Sequence, residues 1–124
     1  MKRLSCGQIE KMHRILIQET GGLDGIRDRP LLESAVNAPF QTFGGEELFR
    51  STHEKAARLG YYLIQNHPFS DGNKRIGILA MLTFLELNGI HVDCTDEELV
   101  QVGFSLANGT MDAEQLTKWL IGHS

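Results

Sequence analysis

Residues 73–87, NKRIGILAMLTFLEL, constrain the fold more than any other stretch, because they spell a helix that is apolar on most of its sides. Such a helix is stable in water only when other elements wrap it, so it reads as the centre of a bundle. Its unbroken apolar part, Ile76 to Leu85, is about half of what a bilayer span needs. Burial inside protein is therefore the expected solution.

The rest of the chain supplies the wrapping. Ser5 followed by Gln8 has capping-box form, Ile9, Met12 and Leu16 then share a face, and Gly21-Gly22 ends that helix. GLDGIRD, residues 22–28, is turn-rich. Pro30 suits the first turn of a short helix carrying Leu31, Leu32, Ala35 and Val36, which Pro39 closes. The aromatic, glycine-rich FQTFGG, residues 40–45, suits a short extended flap or, equally, a plain surface loop. Glu46 to Asn66 reads as one long helix with Leu48, Ala56, Leu59, Tyr62 and Leu63 inward. Asn88-Gly89 stops the central helix, Thr95-x-x-Glu98 opens another through Leu106, and a last helix with Leu116, Trp119 and Leu120 runs from about Asp112 to Ile121. The expectation is a single domain over residues 1–124, a compact all-α bundle of six helices.

Charge narrows the partners. Sixteen acidic against twelve basic residues leave a formal charge of −4, which argues against a surface that neutralises many phosphates of a nucleic acid. Phosphate recognition, if present, is local. The start MKRLSCGQIE lacks the apolar stretch of a secretory signal, and Cys6 and Cys94 have no metal-like spacing. A cytoplasmic protein with reduced, inert thiols and no membrane contact is expected.

The loop that feeds the central helix, HPFSDGNKR at residues 67–75, carries the chemistry. The first N–H groups of a helix lack intrahelical partners and sit at the positive end of its dipole, so they form a ready anion site. Gly72 lets backbone approach a ligand closely, and Lys74 and Arg75 add a point charge and a planar fork suited to phosphate oxygens. Asp71 would repel phosphates unless a divalent cation intervenes, and magnesium accepts one carboxylate together with phosphate oxygens. His67, with an ordinary imidazole pKa of about 6.5, can take a proton from an attacking hydroxyl. Two other readings share these residues. Asp71 can simply cap the helix beside solvated Lys74 and Arg75, or His67 and Asp71 can join His91 or Asp93 around zinc.

HPFSDGNKR resembles the signature of the Fic/Doc family, H-x-F-x-(D/E)-(G/A)-N-(G/K)-R, and GIRDRPLLESAVNAPF is similar to the corresponding stretch of Doc-type (death-on-curing) toxins. The resemblance implies the six-helix Fic/Doc fold with ATP and magnesium as cosubstrates. It makes His67 the general base, Asp71 the metal ligand, Gly72, Asn73, Lys74 and Arg75 the phosphate-binding hole, and Phe69 the anchor of the loop. Fic proteins mostly transfer AMP to a hydroxyl of a target protein. Doc-type toxins instead act as kinases on a threonine of elongation factor Tu and arrest translation. Lys74 is the Doc-like feature, whereas Pro68 and Gly72 make the loop closer to the Fic form. A protein kinase is the first expectation, a protein adenylyltransferase the second, and a silent antitoxin-binding corepressor the third.

Self-inhibiting Fic proteins carry (S/T)-x-x-x-E-(G/N). Thr42 to Glu46 and Thr110 to Glu114 both fail at the last position, so a separate Phd-like antitoxin is the implied brake. Arg27 and Arg29 lie near enough to the turn to reach a nucleotide, but read first as solvated loop charges. His13, His53, His91 and His123 read as surface or capping residues, and Tyr62 and Trp119 as core.

Overall fold

A computed structural model describes residues 1–124, and the fold is all-α. Six α-helices follow in order: α1 (Cys6–Thr20), α2 (Arg29–Asn37), α3 (Thr52–Asn66), α4 (Asn73–Leu87), α5 (Asp96–Ala107) and α6 (Ala113–Gly122). A 3-10 turn, Ala38–Phe40, and a two-stranded antiparallel hairpin, β1 (Thr42–Phe43) with β2 (Glu46–Glu47), separate α2 from α3. No helix is long and apolar enough to cross a membrane.

Capping explains most of the boundaries. Ser5, Ser51, Thr95 and Asp112 open α1, α3, α5 and α6 with reciprocal capping boxes, and Asp28 accepts from Leu31 N–H to open α2. Each such cap stabilises its helix by about 1 kcal/mol. The exception is α4, which starts on Gly72 with no capping side chain.

The centre is α4, which buries Ile76, Ala80, Met81, Phe84 and Leu85 within a cluster of 20 buried hydrophobic residues reaching all six helices. Full burial of each large apolar side chain contributes roughly 1.5–3 kcal/mol. The helices α3 and α4 meet at two glycines. A methyl group on Gly77 would lie 2.7 Å from Ile64 Cγ1 and 3.1 Å from the Gly60 carbonyl oxygen. This close contact lets six residues, His67 to Gly72, turn the chain from the end of α3 into the start of α4.

Two sequence expectations need correction. Residues 46–51 are not helical: Gly44 and Gly45 have φ of 59° and 81°, values that suit a tight hairpin turn, and Glu46–Glu47 pair with Thr42–Phe43. The capping box Ser51-x-x-Glu54 then starts α3 at Thr52, and Leu48 is half exposed. The buried Lys55 ammonium holds the returning strand through the carbonyl oxygens of Phe49 and Arg50 and the Glu47 carboxylate. The inward face of α1 is also rotated from the expected one. It buries Ile9, His13 and Ile17, with Met12 and Leu16 packed at the margin.

Candidate functional site

The loop between α3 and α4 is pinned on every side. His67 ends α3 in the left-handed region, φ 47°, the only non-glycine residue with positive φ. Its carbonyl oxygen accepts from Arg27 Nε at 2.7 Å, and that of Asn66 accepts from Arg27 Nη2 at 3.0 Å. Arg27 thus occupies carbonyls that the end of α3 leaves without partners. Pro68 O accepts the N–H groups of Arg27 and Asp28, and Ser70 N–H donates to Gly25 O. Phe69 is 1% exposed, and the Asn73 side chain accepts from its N–H at 3.0 Å and donates to its carbonyl at 3.1 Å.

Past that loop, α4 opens on Gly72 with φ 75° and ψ 21°, a conformation that suits glycine. The N–H groups of Asn73, Lys74 and Arg75 have no intramolecular acceptor. Asp71 does not cap them. Its carboxylate accepts from Gly72 N–H at 2.8 Å and Leu23 N–H at 3.2 Å, and its side chain is 45% exposed. Those N–H groups, Leu23 first and Gly72 second, hold its pKa below the ordinary carboxylate value. Asp71 therefore presents an anion beside three free donors.

Arg75 reaches the end of α1. One of its nitrogens donates to Thr20 Oγ1 and to Gly21 O, and the other lies 3.8 Å from Asp71 Oδ1. The guanidinium is fixed, yet the side chain is 37% exposed. Gly22 completes the cradle, since a methyl group there would sit 2.5 Å from Asp71 Oδ2 and 3.3 Å from Arg75 Nη2.

Two side chains depart from the positions expected of a phosphate hole. The Asn73 amide is turned back into the loop, leaving its backbone N–H for an anion. The Lys74 ammonium lies 4.1 Å from the Phe104 ring centroid on α5, an attractive cation–π contact that draws it aside. His67 is exposed, and its Nδ1 accepts from Asn73 Nδ2 at 3.3 Å, a long contact that orients the ring without locking it.

Two readings of the sequence are corrected here: His13 is not a surface or capping residue, and Arg27, though exposed, is not a free loop charge but holds the Asn66 and His67 carbonyls. His13 is fully buried, donates from Nε2 to Asp71 O at 2.7 Å and stacks on Phe69 with centroids 3.9 Å apart. The Ile9–His13–Ile17 spacing was the available signal, a polar ring on the apolar stripe of α1. The alternative zinc reading finds no support, because no three His, Cys, Asp or Glu groups gather, and His91 pairs with Glu86 at 2.8 Å. Cys6 and Cys94 are free, and burial raises both thiols above their ordinary pKa, which suits inert roles.

The residues present fit a magnesium–nucleotide pair. A single ionised carboxylate is too little for a dedicated metal cage but suffices for magnesium that shares phosphate oxygens. Unpaired N–H groups and an exposed guanidinium beside it fit those oxygens.

Beside α4 runs a groove of about 770 Å³ lined by Leu16, Thr20, Leu79, Leu82, Val100 and Phe104, with Lys74 and Arg75 at its edge. Val100 and Phe104 are half exposed there. The β1–β2 hairpin attaches at Lys55, about 18 Å along α3 from His67 at the helical rise per residue.

The model of the Fic/DOC family matches residues 3–85. A curated protein named Toxin Doc, from Mycolicibacterium smegmatis, is 40% identical over 72 residues, which are 58% of this chain and 55% of that protein. The matched region thus spans about half the length of that relative.

Proposed function

This chain belongs to the Fic/DOC family, and on that premise we propose that it is a Doc-like toxin, a transferase that uses ATP with magnesium to phosphorylate a Ser or Thr hydroxyl of a translation factor. Elongation factor Tu is the target by resemblance. The observation that carries the reading is the start of α4, the one α-helix without a capping side chain, with Asp71 and Arg75 beside its free N–H groups.

In this reading the N–H groups of Asn73, Lys74 and Arg75 and the Arg75 fork hold phosphate oxygens and stabilise charge that builds during transfer. Asp71 holds the metal, and Gly72 keeps the backbone close. Magnesium, when bound, supplies positive charge that offsets the carboxylate against the phosphates. His67 takes the hydroxyl proton as the oxygen bonds to phosphorus and ADP departs. Its lone pair faces Asn73 at rest, so the exposed ring first turns from that long contact. Phe69, buried under the loop, anchors it.

One observation favours the second reading, AMP transfer. The Lys74 ammonium lies over Phe104, so this cation does not fill the hole that AMP-transferring relatives keep open for β- and γ-phosphates. Incubating the protein and candidate targets with ATP labelled at either the α or the γ phosphate separates the two. Label from γ supports the kinase, label from α the adenylyltransferase, and label from neither contradicts both.

A Phd-like antitoxin is the proposed partner. The apolar groove between α4 and α5 suits an amphipathic helix that folds on binding, and it reaches Lys74 and Arg75.

A further inference from the structure

We infer that His13 is a positioning residue for the Asp71 carboxylate; the inference rests on the proposed role of Asp71 at a metal–nucleotide site. The Asp71–Gly72 peptide is a rigid plane, with its carbonyl oxygen and N–H pointing in opposite directions. Both edges of that plane are held. On one edge, the buried His13 Nε2–H donates to Asp71 O at 2.7 Å. On the other, Gly72 N–H donates to Asp71 Oδ1 at 2.8 Å. Rotation of the plane carries the N–H with it, so whatever sets the carbonyl direction also sets where the carboxylate is gripped.

His13 is suited to set that direction. A carbonyl oxygen can only accept, so the proton of a neutral His13 lies on Nε2. The ring has almost no freedom, being stacked on Phe69 at 3.9 Å and 10° and flanked along α1 by buried Ile9 and Ile17. Phe69 is in turn tied through both its main-chain groups to the Asn73 side chain. One imidazole therefore holds two residues of the loop, Phe69 by its face and Asp71 by its edge. The remaining nitrogen, Nδ1, is buried with no hydrogen-bond partner, 3.6 Å from Asp24 Oδ1. A residue needed only for volume at this place would be apolar, since a buried polar atom left unpaired is unfavourable. The imidazole is explained by the donor it supplies.

Two variants of the full chain separate ring from donor. His13→Phe keeps the stacked ring and loses the N–H, whereas His13→Gln loses the ring and restores a donor near the place of Nε2. Binding is read by electron paramagnetic resonance of Mn²⁺ with ATP present, and by calorimetry of ATP without metal, so that no turnover is required. In His13→Phe the Mn²⁺ affinity is expected to fall about ten-fold, while ATP affinity without metal changes by less than about two-fold. His13→Gln is expected to recover most of the loss. Unchanged Mn²⁺ affinity in His13→Phe, or a loss in His13→Gln as large, overturns the inference. If neither variant folds, the wild-type chain with ¹⁵N-labelled histidine decides. An Nε2 proton on His13 that exchanges more slowly once Mg²⁺ and ATP are added supports the inference. A proton found only on Nδ1, or exchange unaffected by Mg²⁺ and ATP, overturns it. A wild-type chain that binds no Mn²⁺ with ATP removes the reading of the site and this inference together, whereas a loss confined to the variants bears on His13 alone.

Discussion

Gly60 and Gly77 face each other across the α3–α4 contact so closely that a methyl group on either would meet the other's carbonyl oxygen, at 3.3 and 3.1 Å. The contact brings the end of one helix to within a short loop of the start of the next, and every proposed catalytic and phosphate-binding residue lies on that loop or the first turn beyond it. Gly77→Ala is expected to destabilise the protein by about 1–3 kcal/mol through overpacking against Ile64 and the Gly60 backbone. A fall in the thermal midpoint of roughly 5–10 °C checks it, and an unchanged midpoint contradicts the packing argument.

Gly22 makes a second close approach, this time to the site. Gly22→Ala is expected to push the Asp71 carboxylate from its place, weakening Mn²⁺ binding in the presence of ATP by about ten-fold. Gly44→Ala, which also carries a positive φ but meets nothing within 4 Å, is the control and leaves metal binding alone. Equal loss in both variants would show that general destabilisation, not displacement of Asp71, is responsible.

Arg27 fixes the turn that carries His67. Arg27→Ala strips the donors from the Asn66 and His67 carbonyls and leaves the imidazole less well placed. Label transfer from ATP is expected to fall by about ten- to a hundred-fold with little change in ATP affinity. Equal losses in transfer and in binding would mean that Arg27 touches the nucleotide instead.

The base assignment makes the sharpest division between binding and chemistry. His67→Ala is expected to keep ATP affinity, because the proposed anion site is made by α4, and to reduce transfer by about a hundred-fold or more. Transfer at the wild-type rate would remove His67 from the reaction.

Stability should depend on pH through His123 and Glu98, which lie 3.1 Å apart at the ends of α6 and α5. The Trp119 carbonyl first, and Glu98 after it, raises the His123 pKa, while Thr95 N–H first and His123 next lower that of Glu98. The imidazole contribution is complete below its ordinary 6.5 and is lost as pH rises through the raised value. That of the carboxylate is complete above its ordinary 4.5 and is lost as pH falls through the lowered value. The pair therefore helps most between those two ordinary values. Glu98→Gln keeps a side chain able to complete the capping box but removes the charge. Its thermal midpoint should differ most from wild type in that window and converge toward pH 8 and above. A difference independent of pH would leave the ion pair without a role.

Local chemistry made much of this protein readable from its residues. Ser5, Thr95 and Asp112 signal helix starts because a cap involves groups within one turn, and the run from Asn73 to Leu87 announces a buried helix by its own apolarity. HPFSDGNKR makes its proposed chemistry readable for the same reason, since a helix terminus and its flanking charges are neighbours in the chain. Only tertiary closure decided the rest. Arg27 meets His67 across 40 residues, His13 meets Asp71 across 58, and Lys74 turns to a phenylalanine on another helix. Such contacts depend on how α1, α4 and α5 pack, and hydrophobic packing is set by shapes distributed over the whole chain rather than by any one segment.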